Sequence, residues 1–187
     1  MKNNSITLIG MSGSGKSTTG IILAEVLKWR YVDLDKLIFE TEHITHHEYM
    51  EKNGENALSE LENKLTLELD FKDLVFAPPG SIIYSPSAME KIKNNSTVVY
   101  LETEPETIEK RLGDKLYKNG ILGLKEKGLK KLMEERAVFY NKYANSTFHS
   151  EKETPQEMAD IIISALKKET RLFISSVPTS HHSLRKK

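Results

Sequence analysis

The stretch that most constrains this chain is Gly10-Met-Ser-Gly-Ser-Gly15-Lys16-Ser17. The short apolar run Ile6-Thr-Leu-Ile9 leads into it. After it, a helical pattern starts near Lys16 and continues through Ile21, Ile22, Leu23, Val26 and Leu27. A strand, a glycine-spaced loop ending in Lys-Ser and a helix make the Walker A arrangement. The glycines let the backbone turn tightly and aim its N–H groups inward at phosphate oxygens. The positive end of the helix points at the same place. Gly13, Ser14, Gly15, Lys16, Ser17 and Thr18 are the expected nucleotide contacts, with Lys16 reaching the β- and γ-phosphates of ATP and the Ser17 hydroxyl serving Mg²⁺.

The rest of the chain alternates strands with helices. Tyr31-Val-Asp33, Leu74-Val-Phe-Ala77, Thr97 to Leu101 and Ser146-Thr-Phe-His149 read as further strands. Thr45-His-His-Glu48 has capping-box spacing and opens a short helix. Helices are also expected over Glu55–Leu69, Pro86–Lys93, Glu104–Leu112 and, for most of its length, Leu124–Tyr143. Thr154-Pro-Gln-Glu157 caps a last helix ending near Lys168. The expectation is a three-layer α/β sandwich with a parallel five-stranded sheet, of the P-loop type seen in nucleoside-monophosphate kinases. Ligands in such sheets bind beyond the carboxyl ends of the strands. Residues 1–170 are expected to form a single domain, with a glycine-punctuated lid at about 113–124 and a flexible tail over 171–187.

Composition narrows the function. The 187 residues carry 27 basic and 27 acidic side chains, so no net field draws the chain to nucleic acid or an anionic membrane. Any bound anion must be gripped locally. There is no cysteine, which removes disulfides and thiolate metal sites. No signal peptide or membrane-length apolar run is visible. A cytoplasmic monomer acting on a small molecule is the expectation.

Two carboxylates follow the first helix, in Tyr31-Val-Asp33-Leu-Asp35. Placed two apart at a strand end, they should point to the same side. One can hold the metal's water shell while the other accepts a hydrogen bond from a substrate hydroxyl. An aspartate at position 35 could instead cap the next helix.

With this pair the chain resembles the shikimate kinases. The resemblance runs from Ile6 to about Leu166. It takes in the loop to Thr18, Val32-Asp-Leu-Asp35, Gly54-Glu55 opening a helix, and Val75-Phe-Ala77 running on to Ser85-Pro86. Val99-Tyr-Leu101 and Glu135-Arg136 with Tyr140 complete it. That family transfers the γ-phosphate of ATP to a ring hydroxyl of shikimate. The resemblance implies a metal-shell role for Asp33 and orientation of the acceptor hydroxyl by Asp35. It also implies that Arg136 pairs with an acceptor carboxylate, that Gly80 lies at the acceptor, and that Arg111 lies near the adenine.

Three departures fall on acceptor positions. Where the family helix carries Phe-Arg, this chain has Leu58-Ser59. Losing one charge-assisted hydrogen bond costs about 1.5–3 kcal/mol, roughly 10- to 150-fold in binding. Glu55, Asn56, Glu62 and Asn63 on that helix offer no positive replacement. The family's triple-glycine turn appears as Pro79-Gly80-Ser81, which removes one backbone donor. The lid's Arg-Pro-Leu-Leu is replaced by Lys118-Asn-Gly-Ile-Leu122, where Lys118 can supply only a point charge. Three readings stay open: a kinase for a different small hydroxylated acceptor, a shikimate kinase, or a nucleotide-binding module with weak or no kinase activity. A gluconate- or nucleoside-type P-loop kinase fits the spacings less well.

His46 and His47 lie in the first turn of their helix and are expected to face solvent, without a zinc-helix spacing. Trp29 and Tyr31 are expected in the core, and the lysines from Lys125 to Lys131 on a solvated face.

Overall fold

The computed structural model of the chain describes residues 4–118 and 120–168, with the side chains of Lys118 and Lys168 outside that description. The flexible tail expected over 171–187 lies outside the described residues.

The chain runs β1 (Ser5–Ile9), α1 (Lys16–Leu27), β2 (Arg30–Asp33), α2 (Leu34–Glu42), α3 (His46–Asn53), α4 (Glu55–Glu68) and β3 (Leu74–Ala77). After a 3₁₀ turn at Ile82–Tyr84 come α5 (Pro86–Asn95), β4 (Thr97–Glu102), α6 (Pro105–Leu112), α7 (Lys115–Lys118), α8 (Leu124–Lys127), α9 (Leu129–Tyr143), β5 (Ser146–His149) and α10 (Pro155–Lys168). The five strands form one sheet in the order β2-β3-β1-β4-β5, all neighbours parallel.

Strand alternation builds the two cores. Ile6, Leu8, Val75, Val99 and Leu101 point to one face, where they meet Leu23 of α1 and Ile162 of α10. Ile9, Leu74, Phe76, Val98 and Tyr100 point to the other, against Leu34 of α2, Leu58 of α4 and Leu132 of α9. Both faces are covered, so β1 is buried along its whole length, as parallel sheets require. This is the three-layer fold expected. Trp29 and Tyr31 pack against the first of these cores, as expected.

Two expectations are corrected. Asp33 and Asp35 do not share a strand. The strand stops at Asp33, which caps α2 by accepting a hydrogen bond from the Asp35 amide at 3.1 Å, and Asp35 stands in the first helical turn. The helix over Leu124–Tyr143 is broken at Gly128, whose φ of 74° ends α8 and opens α9.

β1 lies between β3 and β4, so the connections leave it in opposite directions. The crevice at its carboxyl end is the switch point at which open α/β sheets bind ligands.

Candidate functional site

At that crevice lies a cavity of about 800 Å³. It is lined by Gly13, Gly15, Lys16, Ser17, Asp33 and Asp35, and on its far side by Gly80 and Arg136. Eight candidate residues from four separate stretches of chain thus meet in one place. Its size suits a small-molecule site.

The loop's geometry follows from its glycines. At Gly10, with φ +144°, a Cβ would come within 2.6 Å of the Leu101 carbonyl oxygen, so only glycine lets β1 turn beside β4. Gly15 at the start of α1 makes no side-chain cap. The first-turn amides of α1 are therefore available to an anion. Lys16 is buried, and its ammonium donates to the carbonyls of Gly10 at 3.0 Å and Met11 at 2.9 Å. Burial lowers its pKa to about 8, against the opposing pull of Asp35 and Asp33. Ser14 is buried with its hydroxyl unpartnered, and the Thr18 hydroxyl donates to the Gly15 carbonyl at 3.0 Å.

Ser17 and Asp33 are in direct contact, the hydroxyl donating to Oδ2 at 2.8 Å. Tyr31 donates to the same oxygen at 3.1 Å. An adjacent hydroxyl and carboxylate beside a phosphate loop form an all-oxygen donor set, which suits a hard divalent cation such as Mg²⁺. Asp35 opens to the cavity, yet crowding by protein pushes its carboxyl above the usual carboxylate range. His46 and Lys16 oppose the rise, and Asp33 and Glu62 add to it.

Arg136 is 1% exposed. Nη2 donates to the Leu122 carbonyl at 2.8 Å, and the guanidinium lies 5.5 Å from the centre of the Tyr84 ring. Its Nε is buried without a partner. Tyr140, one helical turn on, donates to the Gly80 carbonyl at 2.9 Å and stacks on Tyr100 at 4.9 Å. Gly80 is held from both sides. A Cβ there would lie 2.9 Å from Arg136 Nη1, 2.9 Å from the Tyr140 hydroxyl and 3.0 Å from the Gly10 carbonyl. Gly80→Ala should therefore destabilise the fold by about 1–3 kcal/mol through overpacking. Thermal unfolding reads this directly, and an unchanged midpoint would show that the wall has room to give.

Arg111 does not line the cavity. It donates to the carbonyl of Gly13 at 3.2 Å, the Ser150 hydroxyl at 3.4 Å and the Glu151 carbonyl at 3.3 Å. It thereby ties α6 to the loop and to the end of β5. Lys118 falls in α7, and its side chain lies outside the described residues. From the lid stretch, Gly120, Ile121 and Leu122 reach the cavity.

The expectation that His46 and His47 face solvent is overturned. Both line the cavity. The His46 side chain is 15% exposed, with Nε2 3.3 Å from Oε1 of Glu62, itself buried on α4. An imidazole therefore does stand beside that face of α4, but it comes from α3. Burial alone would lower the His46 pKa, but Glu62 and Asp35 outweigh it and the net shift is upward. Ser81 also lines the cavity, with its hydroxyl 3.3 and 3.5 Å from the two Glu62 oxygens. The capping box was the available signal for where α3 starts. Which way its first turn faces depended on how α3 lies against α4.

A glycine-built anion loop opening α1, at the switch point of a parallel sheet in 2-3-1-4-5 order, defines a P-loop phosphotransferase. A family model described as shikimate kinase matches residues 12–167. The chain belongs to the shikimate kinase family. A shikimate kinase of Sulfurihydrogenibium sp. is 36% identical over 169 residues, covering 90% of this chain and 99% of its own length. One from Enterococcus faecalis is 33% identical over 165 residues, covering 87% of this chain and 98% of its own. A shikimate kinase from Acinetobacter baumannii, solved in complex with shikimate, superposes with a TM-score of 0.80 at 29% identity, covering 89% of this chain and 94% of the other. The chain is a small-molecule kinase. Among the described residues, no helix is long and apolar enough to cross a membrane.

Proposed function

We propose that this kinase uses ATP and Mg²⁺ to phosphorylate a hydroxyl of a small polyhydroxylated acceptor other than shikimate. The observation that carries the phosphoryl transfer is the convergence of Lys16, Ser17, Asp33 and Asp35 on one cavity. The observation that favours a different acceptor is the wall facing Asp35. There His46 lines the cavity, paired with the buried Glu62 of α4 behind it, and Ser59 stands where the family has an arginine. Arg136 persists, but its guanidinium is enclosed and already donates to Leu122. Shikimate itself is the second reading, favoured by Arg136 beside Gly80 and by the relatives' activity.

In this reading the α1 amides and Lys16 hold the β- and γ-phosphates. Lys16 neutralises charge that spreads over the transferred group. Ser17 and Asp33 would hold Mg²⁺, which would supply charge neutralisation to the phosphates. Asp35 orients the acceptor hydroxyl and takes its proton. Arg111 braces the adenine side, and Lys118 with the 113–124 stretch closes over the site, excluding water. Residues 1–170 act as one cytoplasmic, monomeric domain.

The test is coupled ADP release across shikimate, gluconate, myo-inositol and nucleosides. Turnover stimulated by shikimate alone sinks the altered-acceptor reading. Tight ATP binding with no stimulation by any of them leaves a nucleotide-binding module instead.

The Lys16 pKa adds a pH prediction. A lowered lysine pKa means that the charge is lost as pH rises through about 8. A triphosphate beside the ammonium favours the charged form. ATP affinity should then weaken above pH 8, with proton uptake on binding. Calorimetry in two buffers of different ionisation heat measures both, and a constant affinity from pH 7 to about 9.5 would contradict it.

A further inference from the structure

His46 opens α3, and the capping box between Thr45 and Glu48 fixes that helix start from both sides. The ring faces the cavity from a rigid turn. Behind it, the Glu62 side chain is 3% exposed, and an enclosed carboxylate is costly unless compensated. His46 is the compensating group, its buried Nε2 lying 3.3 Å from Glu62 Oε1. Ser81 closes the other side of Glu62. None of these three groups has a part in holding the nucleotide.

The charges around the ring decide what it can bind. From α2 come Asp35, Lys36 and Glu40, from α4 Glu62, and from α9 Arg136, already bonded to Leu122. The imidazole thus lines the cavity together with Asp35 and lies 3.3 Å from Glu62, and both carboxylates act on it electrostatically. A carboxylate from a ligand would meet a third like charge here. A hydroxyl meets no such penalty. It can accept from the imidazole and donate to a carboxylate at once.

Resting on the kinase reading above, we propose that His46, positioned by Glu62 and assisted by Ser81, selects the acceptor by binding a second hydroxyl of the molecule whose first hydroxyl is placed at Asp35. The acceptor is thereby a small polyol, a cyclitol or open-chain sugar derivative, recognised at this end through hydroxyls and not through an acid group.

The experiment uses the full chain. Michaelis parameters are measured for myo-inositol, gluconate and shikimate at saturating ATP, for the wild type and for His46→Ala, His46→Asn and Glu62→Gln. For the polyol turned over best, His46→Ala should raise the acceptor KM about tenfold. The kcat should stay within about threefold and the KM for ATP should be unchanged, a split that general loss of structure would not give. His46→Asn, which keeps a donor and an acceptor, should recover part of that loss, and Glu62→Gln should fall between. An unchanged acceptor KM in both histidine variants overturns the proposal and leaves the kinase reading intact. In parallel, the His46 ring signals, assigned by their loss in His46→Asn, are followed by NMR as each of the three compounds is added with ADP and Mg²⁺. Movement with a polyol but without turnover supports the site and sinks the kinase reading. No movement with any of the three overturns the proposal whether or not turnover is seen.

Discussion

Replacing Lys16 with alanine should cut ATP turnover by at least about a hundred- to a thousandfold, the range for losing one preorganised donor to a developing charge. Three features set the size of that effect. The ammonium is buried, so no solvent cation can take its place. It is held by two backbone carbonyls at 2.9 and 3.0 Å, so it stands ready without reorganisation. Burial also keeps its charge poorly screened, and the same burial lowers its pKa to about 8. The alanine variant leaves the Gly10 and Met11 carbonyls without their donor, and some stability should go with it. Lys16→Met preserves the packing and separates the two effects. Coupled ADP release with a thermal midpoint for each variant decides the matter. Full turnover in either variant would take Lys16 out of the chemistry.

Asp35→Asn should spare ATP binding and lower acceptor-dependent turnover by about 10²- to 10⁴-fold, the range for losing a positioned proton acceptor. The same change should raise the thermal midpoint at neutral pH. Crowding raises the Asp35 pKa in the fold, so the folded chain holds that proton more tightly than the unfolded one. The stability this contributes is complete below the unfolded pKa and disappears as pH rises through the folded one. At neutral pH the ionised carboxylate therefore weighs against folding, and asparagine removes that charge. His46 and Lys16 offset part of it, which bounds the gain. The acid limb of the wild-type pH–rate profile should lie above the usual carboxylate range and be missing in the variant. Unchanged turnover in Asp35→Asn would sink the proton-acceptor role, and a lowered midpoint would contradict the sign of the electrostatics.

These two residues differ in how far they were legible in the chain. Lys16 is specified by local spacing, because the strand, the glycines and the helix that position it are contiguous. Asp35 was legible as a residue but not as a geometry. The pair looked like a strand end, whereas Leu34 and Ile38, buried one helical turn apart, extend α2 back to Asp33. The short 3₁₀ turn after Gly80 left no periodic signal of its own. His46 was misjudged for a different reason. A first-turn residue faces solvent only if nothing packs over that turn, and here α4 does.

What the sequence determined alone is therefore the local and periodic part: the phosphate loop, the β and α periods that place both cores, and the caps that start α3 and α10. These depend on neighbours within a few residues, where hydrogen-bond reach and side-chain direction follow from position in the chain. Tertiary structure alone decided the far wall of the cavity. Arg136 came to rest against Gly80 and Leu122, and His46 against Glu62, across separations of 56, 14 and 16 residues. Such contacts are set by how whole helices lie on the sheet, and no local spacing encodes that.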